Sequence, residues 1–228
     1  MLDNRLRAVA DFVPNAADVA DIGTDHGYLA IELYKINSQR KIIAADLNAG
    51  PCQAARRAIA EAGFSDSIEV RQGDGLTVLR CGEVDTVCIA GMGGKLEADI
   101  LEAQPQMLNH ISCLVLQPQN GFEYLRNWLY AHGWHIADEQ LVKVDDRIYQ
   151  IIKAAPGTEE KLSEAELILG PMLIKKRPEL FVEYVKNTIT QLDKIRQGLK
   201  RGGSQTQEKL KLIEAKINLL EAHHYEEI

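Results

Sequence analysis

The sequence predicts an α/β protein: a mostly parallel sheet with helices between its strands, closed by one antiparallel strand pair and followed by a helical hairpin. Three observations predict it. Short apolar runs that end in aspartate, glycine or glutamine alternate with helix-spaced segments over the first 132 residues. Two strand patterns then follow with only Val144-Asp145-Asp146 between them, too short a gap for a crossover helix. Beyond Gly157 the composition turns to Glu, Lys, Leu, Ile and Gln, with apolar residues three and four apart.

Leu6, Val9, Ala10 and Val13 stand at helical spacing, so 3–13 reads as a helix ended by Pro14. Ala17–Ile22 is a candidate buried strand and Tyr28–Ile36 a helix. Lys41–Ala45 is the second strand, stopped by Asp46. Pro51 suits the first turn of a helix that Gly63 closes. Ser67–Gln72 alternates as a third strand, and Val84–Ala90 is a fourth. Leu96–Ala103 is helical, Ile111–Gln117 is a fifth strand, and Phe122–His132 is again helix. Strands separated by helices imply βαβ units and parallel pairing. Residues 134–143 and 147–154 then pair antiparallel. A dinucleotide-binding Rossmann domain usually ends on a sixth parallel strand, whereas the methyltransferase variant inserts a seventh, antiparallel one. The expected architecture is thus a Rossmann-like, class I methyltransferase sheet of seven strands.

Pro156-Gly157-Thr158 closes the first domain, 1–157. In the second, 158–228, Phe181, Val185, Thr188, Ile189, Leu192, Ile195 and Leu199 fall on one helix. Gly202-Gly203-Ser204 breaks it, and Leu210, Ile213, Ile217 and Leu220 continue the spacing on another. The expectation is an antiparallel hairpin with a coiled-coil seam.

No apolar run is long enough to span a membrane. Met1–Phe12 carries acids and lacks an apolar h-region, so it does not read as a signal peptide. Cys52, Cys81, Cys88 and Cys113 form no C-x-x-C pair, which suits a reducing cytoplasm and gives no zinc signature; the histidines show no metal spacing either. The net charge of −7 is unevenly spread. Residues 1–160 hold 14 Lys/Arg against 23 Asp/Glu, whereas 170–201 hold 8 against 3. Such asymmetry hints at a polyanionic partner, although a solvated helix face accounts for the same charges.

The first strand runs into Asp21-Ile22-Gly23-Thr24-Asp25-His26-Gly27. Glycine there lets the backbone turn tightly and approach a ligand. The dinucleotide pattern G-x-G-x-x-G is absent. The pattern D-x-G-x-D-x-G is close to the D/E-x-G-x-G-x-G loop of S-adenosylmethionine enzymes, with Asp25 in place of the middle glycine. Carboxylates at 21 and 25 repel a pyrophosphate and attract a sulfonium that also bears an ammonium group. Asp46, with Leu47 after it, ends the second strand where an acid takes ribose hydroxyls. Asp74, between Gly73 and Gly75, is placed to accept from an adenine amino group. The fourth strand opens into Ala90-Gly91-Met92-Gly93-Gly94, a loop of little bulk against which a flat substrate can lie. The fifth ends in LQPQNG, Leu116–Gly121. Ligands of open α/β sheets bind outside these carboxyl ends.

These motifs resemble the bacterial tRNA adenine-N1-methyltransferases that modify adenine 22, the TrmK family. The resemblance rests on DIGTDHGYLAI (Asp21–Ile31), AADLNAGPCQ (Ala44–Gln53), GDGL (Gly73–Leu76), IAGMGG (Ile89–Gly94) and LQPQN (Leu116–Asn120). It extends to the order of parts and so covers nearly the whole chain. It implies S-adenosylmethionine as methyl donor and tRNA as acceptor. The [DN]-P-P-[FY] motif that many amino-methyltransferases carry after the fourth strand is replaced here by AGMG.

On this reading Asp25 stabilises the charge that develops on the methylated adenine, with the carbonyls of Ala90 and Gly91 as the competing candidates. Gln117 and Asn120 hydrogen-bond the base edge, and Tyr28 either stacks on it or belongs to the core. Lys175, Lys176, Arg177, Lys186, Lys194, Arg196, Lys200 and Arg201 contact tRNA phosphates. The hairpin is then an arm along the tRNA on a monomer; a dimerisation hairpin is the alternative. A small-molecule methyltransferase needs a lid over the last loops, and no insertion there is long enough. A non-catalytic adaptor would bind both ligands without turnover.

Overall fold

The computed structural model describes residues 2–158, 160–200 and 207–225. The chain divides into two compact units, Met1–Lys161 and Leu162–Ile228.

The first unit opens with helix α1 (Asn4–Phe12), capped by Asp3, whose Oδ1 accepts the Leu6 amide at 2.8 Å. Strands β1 (Val19–Ile22), β2 (Ile42–Asp46) and β3 (Ile68–Gln72) alternate with helices α2 (Tyr28–Ile36) and α3 (Ala49–Glu61). A 3-10 turn (Gly75–Val78) leads to β4 (Thr86–Ala90), and α4 (Gly94–Glu102) and α5 (Pro105–Leu108) to β5 (Cys113–Gln117). Helix α6 (Phe122–Ala131) precedes the hairpin β6 (Trp134–Val144) and β7 (Arg147–Pro156). The sheet order is β3-β2-β1-β4-β5-β7-β6. Strands β1 to β5 pair in parallel, and β7 runs antiparallel to both β5 and β6. The expected seven-stranded architecture is the observed one.

The period of two along each strand explains the core. Val19, Ile42, Ala44, Cys88, Cys113 and Val115 face α1, α2 and α3 in one apolar layer. Their neighbours Ala20, Ile43, Ala45, Val87, Leu114 and Leu116 are buried on the other face, as in parallel sheets covered on both sides. Each fully buried Leu or Ile contributes about 1.5–3 kcal/mol. Arg126 of α6 is wholly buried and ties the hairpin down: its Nε donates to Glu139 Oε1 at 2.9 Å and its Nη2 to Gln150 Oε1 at 2.5 Å.

Some elements differ from the sequence expectation. Helix α4 begins at Gly94 rather than Leu96, and neither the 3-10 turn nor α5 was expected. In the second unit α7 (Glu164–Leu169) and α8 (Pro171–Lys176) precede α9 (Phe181–Lys200) and α10 (Gln207–Tyr225). Helices α7 and α8 are too short for a periodic apolar stripe. Their signals lie in the caps: Ser163 and Glu166 form a capping box, and Pro171 opens α8. Helices α9 and α10 pack on each other. The expected seam is uneven, since Phe181, Val185, Ile217 and Leu220 are buried while Ile195 is 50% exposed. The expected turn at Gly202-Gly203-Ser204 lies outside the described residues, as does Arg201.

Candidate active site

Because β1 to β5 are parallel, the loops at their carboxyl ends share one edge of the sheet. From β1 the chain builds outward through β2 and β3, then returns to place β4 on the other side of β1. A cleft of about 270 Å³ opens at this switch point. Its walls are Asp21, Gly23 and the loop through Leu29, together with Ala90 from β4, the cap residue Asp3, and Arg5 and Leu6 of α1.

The loop after β1 folds back over β2, with the amides of Gly23 and Thr24 both donating to Ala45 O at 2.7 and 2.9 Å. Asp21 is only 5% exposed. Burial pushes its carboxyl up to about 6; a hydrogen bond from Thr24 opposes the shift, and the nearby charge of Asp46 adds to it. Asp25 is exposed, with His26 Nε2 3.4 Å from its Oδ2. The His26 ring stacks on Tyr28 at a centroid distance of 5.4 Å.

A second group stands at the ends of β2 and β3. Asp46 O accepts the Gly73 amide at 3.0 Å, and Asp46 Oδ1 accepts the Asn48 amide at 2.7 Å. Leu47 is exposed beside it. Asp74 starts the 3-10 turn through its carbonyl, 3.0 Å from the Thr77 amide, and its carboxylate takes no part in the cap.

The loops after β4 and β5 are joined by backbone hydrogen bonds: Gly91 N to Gln117 O (3.0 Å), Gln119 N to Met92 O (2.7 Å) and Gly94 N to Asn120 O (2.8 Å). A Cβ on Gly94 would stand 2.6 Å from Gly121 O, so only glycine permits this approach. Gln117 is fully buried. Its Oε1 accepts from Arg5 Nη1 at 2.5 Å and its Nε2 donates to Pro118 O at 3.0 Å. Asn120 is exposed, its Oδ1 beside Gly93.

Of the residues expected from sequence, Asp21, Gly23, Asp25, His26, Gly27 and Ala90 line the cleft. Asp46, Leu47, Gly73, Asp74, Gly75, Gly91, Met92, Gly93, Gln117 and Asn120 share its edge of the sheet but lie outside its walls. Asp3, Arg5 and Leu6 were not expected there. Their helix is legible in the sequence, but nothing local says that it reaches the cleft.

In the second unit Lys175, Lys176, Lys186, Lys194 and Lys200 are exposed. Arg177 lies over the Phe181 ring at 5.5 Å, Arg196 pairs with Asp193, and Lys200 Nζ is 3.8 Å from Glu214. Among the described residues no group of three His, Cys, Asp or Glu side chains is placed to hold a metal ion, and no helix is long and apolar enough to cross a membrane.

The strand order, the antiparallel β7 and the acid-lined cleft at the switch point define a Rossmann-like class I methyltransferase. Residues 19–222 match the family described as TrmK, tRNA (adenine(22)-N(1))-methyltransferase. A Bacillus subtilis tRNA (adenine(22)-N(1))-methyltransferase is 34% identical over 93% of this chain and 92% of its own. A Streptococcus pneumoniae structure in complex with S-adenosyl-L-methionine superposes with TM-score 0.88 at 32% identity, covering 99% of this chain and 100% of that one. A Mycoplasma capricolum TrmK structure in complex with S-adenosylhomocysteine gives 0.82 at 29% identity, covering 98% of each chain. The chain belongs to the TrmK family of tRNA (adenine(22)-N(1))-methyltransferases.

Proposed function

We propose that this protein methylates N1 of adenine 22 in tRNA with S-adenosylmethionine as donor. The first unit carries the chemistry and the second contacts the RNA. The observation that carries the reading is the buried carboxylate of Asp21 at the head of β1, in a cleft that also holds Asp3 and Asp25. That donor set fits a sulfonium with an ammonium group and is unfavourable to a pyrophosphate.

Asp21 would face the ammonium end, with the backbone of Gly23 and Gly27 close against the donor. Asp46 would accept from the ribose hydroxyls and Asp74 from the adenine amine, since both carboxylates stand at strand ends on the same edge. When bound, the donor supplies an activated methyl group. The protein then has to align the adenine N1 lone pair with it, and such positioning contributes up to about 7–11 kcal/mol. Methylated N1 carries a positive charge until a proton leaves the exocyclic amine. Asp25, exposed at the cleft wall, stabilises that charge, with the carbonyls of Ala90 and Gly91 as further acceptors. Asn120 stands exposed after β5 as a base-edge partner. The exposed lysines of α8 and α9 meet the phosphates. A tRNA acceptor sets the reaction in the cytoplasm.

The test is transfer of labelled methyl from S-adenosylmethionine to a tRNA transcript, followed by nucleoside analysis. Label is expected in 1-methyladenosine, and it should vanish from a transcript with guanine at position 22. Label in another nucleoside, or none in tRNA, overturns the reading.

A further inference from the structure

Among the described residues of the first unit, the exposed large apolar side chains are Tyr28, Ile36, Leu47, Leu96 and Tyr124. All but Ile36 stand just beyond the carboxyl end of a strand, on the edge that carries the cleft. Tyr28 and Leu47 follow β1 and β2, the side that Asp21 and Asp46 give to the methyl donor. Leu96 and Tyr124 follow β4 and β5, the side left for the acceptor. Leu96 is the third residue of α4 and Tyr124 the third of α6, and these two helices pack on each other.

Tyr124 is 46% exposed and Leu96 51%. Lys95 Nζ lies over the Tyr124 ring, 5.7 Å from its centroid, and donates to both oxygens of Asp99 at 2.9 and 2.7 Å. The ammonium is thus engaged by its own helix, while the ring stays nearly half exposed. The backbone beneath is fixed, because the Gly94 amide donates to Asn120 O and Gly94 is pressed against Gly121 O. Met92, in the same loop, reaches back over Gly23 at the cleft. A ring and a leucine on a rigid edge continuous with the cleft offer a surface for a flat apolar face. Gln117 is not part of it: it is fully buried and its Oε1 accepts from Arg5.

An adenine inside folded tRNA is stacked on its neighbours, and it must leave that stack to present N1 to the donor. The base next to it is then left with one face uncovered. We infer that Tyr124, with Leu96, is a stacking platform for the base adjacent to the target adenine, covering the face that the target vacates. This rests on the reading of the protein as a tRNA adenine methyltransferase. The occupant is a base rather than a phosphate, since Lys95 is already paired with Asp99. It is not a protein partner, since two exposed side chains fall far short of a stable protein interface, whereas one base needs only one ring. The platform offsets part of the cost of unstacking and so acts on the acceptor alone.

Methyl transfer to a tRNA transcript, and to transcripts lacking the base on either side of the target adenine, tests the inference. On the intact transcript Tyr124→Ala should lower kcat/KM by about 10- to 100-fold, the range of one base stacked on an aromatic ring. Tyr124→Phe should restore most of it, and Leu96→Ser should lose less than Tyr124→Ala. Calorimetric affinity for S-adenosylmethionine should stay unchanged, which also shows that the fold is intact. The loss should be the same at low and high salt, because stacking releases no counterions. On one of the two abasic transcripts the unaltered protein should already be slow, and Tyr124→Ala should add little. The inference is overturned if Tyr124→Ala methylates the intact transcript at full rate, or if its loss is undiminished on both abasic transcripts. A Tyr124→Phe variant as poor as Tyr124→Ala, or a loss that tracks donor affinity, overturns it equally. If the unaltered protein methylates no tRNA, the underlying reading fails first.

Discussion

The terminal methyl of Met92 lies directly over Gly23: a Cβ built on Gly23 would stand 2.0 Å from Met92 Cε. The first glycine of the β1 loop and the methionine of the β4 loop thus share one space. Gly23 also has φ 81°, the left-handed region that glycine adopts freely. Gly23→Ala should therefore displace Met92 and strain the loop, at a cost of about 1–2 kcal/mol for the backbone alone. The expected outcome is a domain that still folds, by circular dichroism, with donor affinity reduced more than tenfold by calorimetry. Unchanged affinity would place the donor away from this loop.

Asp21 couples the cleft to pH. Its folded pKa of about 6 lies above the ordinary aspartate value of 3.8. The folded state therefore holds the proton more tightly than the unfolded chain, and Asp21 lowers stability as pH rises from about 4 to 6. The full shift corresponds to roughly 3 kcal/mol. A cationic ligand prefers the ionised form, so its affinity should rise through pH 5–7 and then level off. Asp21→Asn should be more stable than the unaltered protein at pH 7.5, bind the donor more weakly, and show a flatter affinity profile. Calorimetry and thermal melts between pH 5 and 8 measure all three.

Glu97 gives a second pH effect of the same sign without any ligand. It is fully buried on α4, and among the described residues neither carboxylate oxygen has a hydrogen-bond partner. Burial raises its pKa well above the usual range. Its protonated form suits the folded state, so the contribution is lost as pH rises. Glu97→Leu should raise the melting temperature, by more at pH 8 than at pH 5. A melting temperature that falls at both values would show that the carboxyl has a partner.

Arg126 should be intolerant of truncation. Removing the guanidinium leaves Glu139 charged and buried, and breaking such a pair costs about 3–5 kcal/mol. Urea unfolding of Arg126→Met should show a loss of this size. A replacement of both residues, Arg126→Met with Glu139→Leu, should recover most of it.

The lysines of the second unit should act on RNA only. Charge reversal at Lys194, Arg196, Lys200 and Arg201 is expected to weaken tRNA binding and flatten its salt dependence, leaving donor affinity unchanged. Filter binding at several salt concentrations reads both quantities. Equal tRNA affinity would leave the helices of the second unit without an RNA role.

The residues of this chain determined a good deal by themselves. Alternation in Ser67–Gln72, the continuous apolar runs of the buried strands and the short link at Asp145-Asp146 are local patterns, and they specify the strands and the antiparallel closure. The Asp21–Gly27 loop was legible because its chemistry lies within seven consecutive residues. What the tertiary structure alone decided is who meets whom. Arg5 and Gln117 are 112 residues apart, and no period links them; α1 has to fold back across the sheet before one can hold the other. Met92 covers Gly23 only because the switch point sets β4 beside β1. The raised pKa of Asp21 likewise comes from burial, which no single stretch of sequence contains. Local periodicity writes the elements, whereas charge and contact in the cleft arise from distant segments made neighbours by packing.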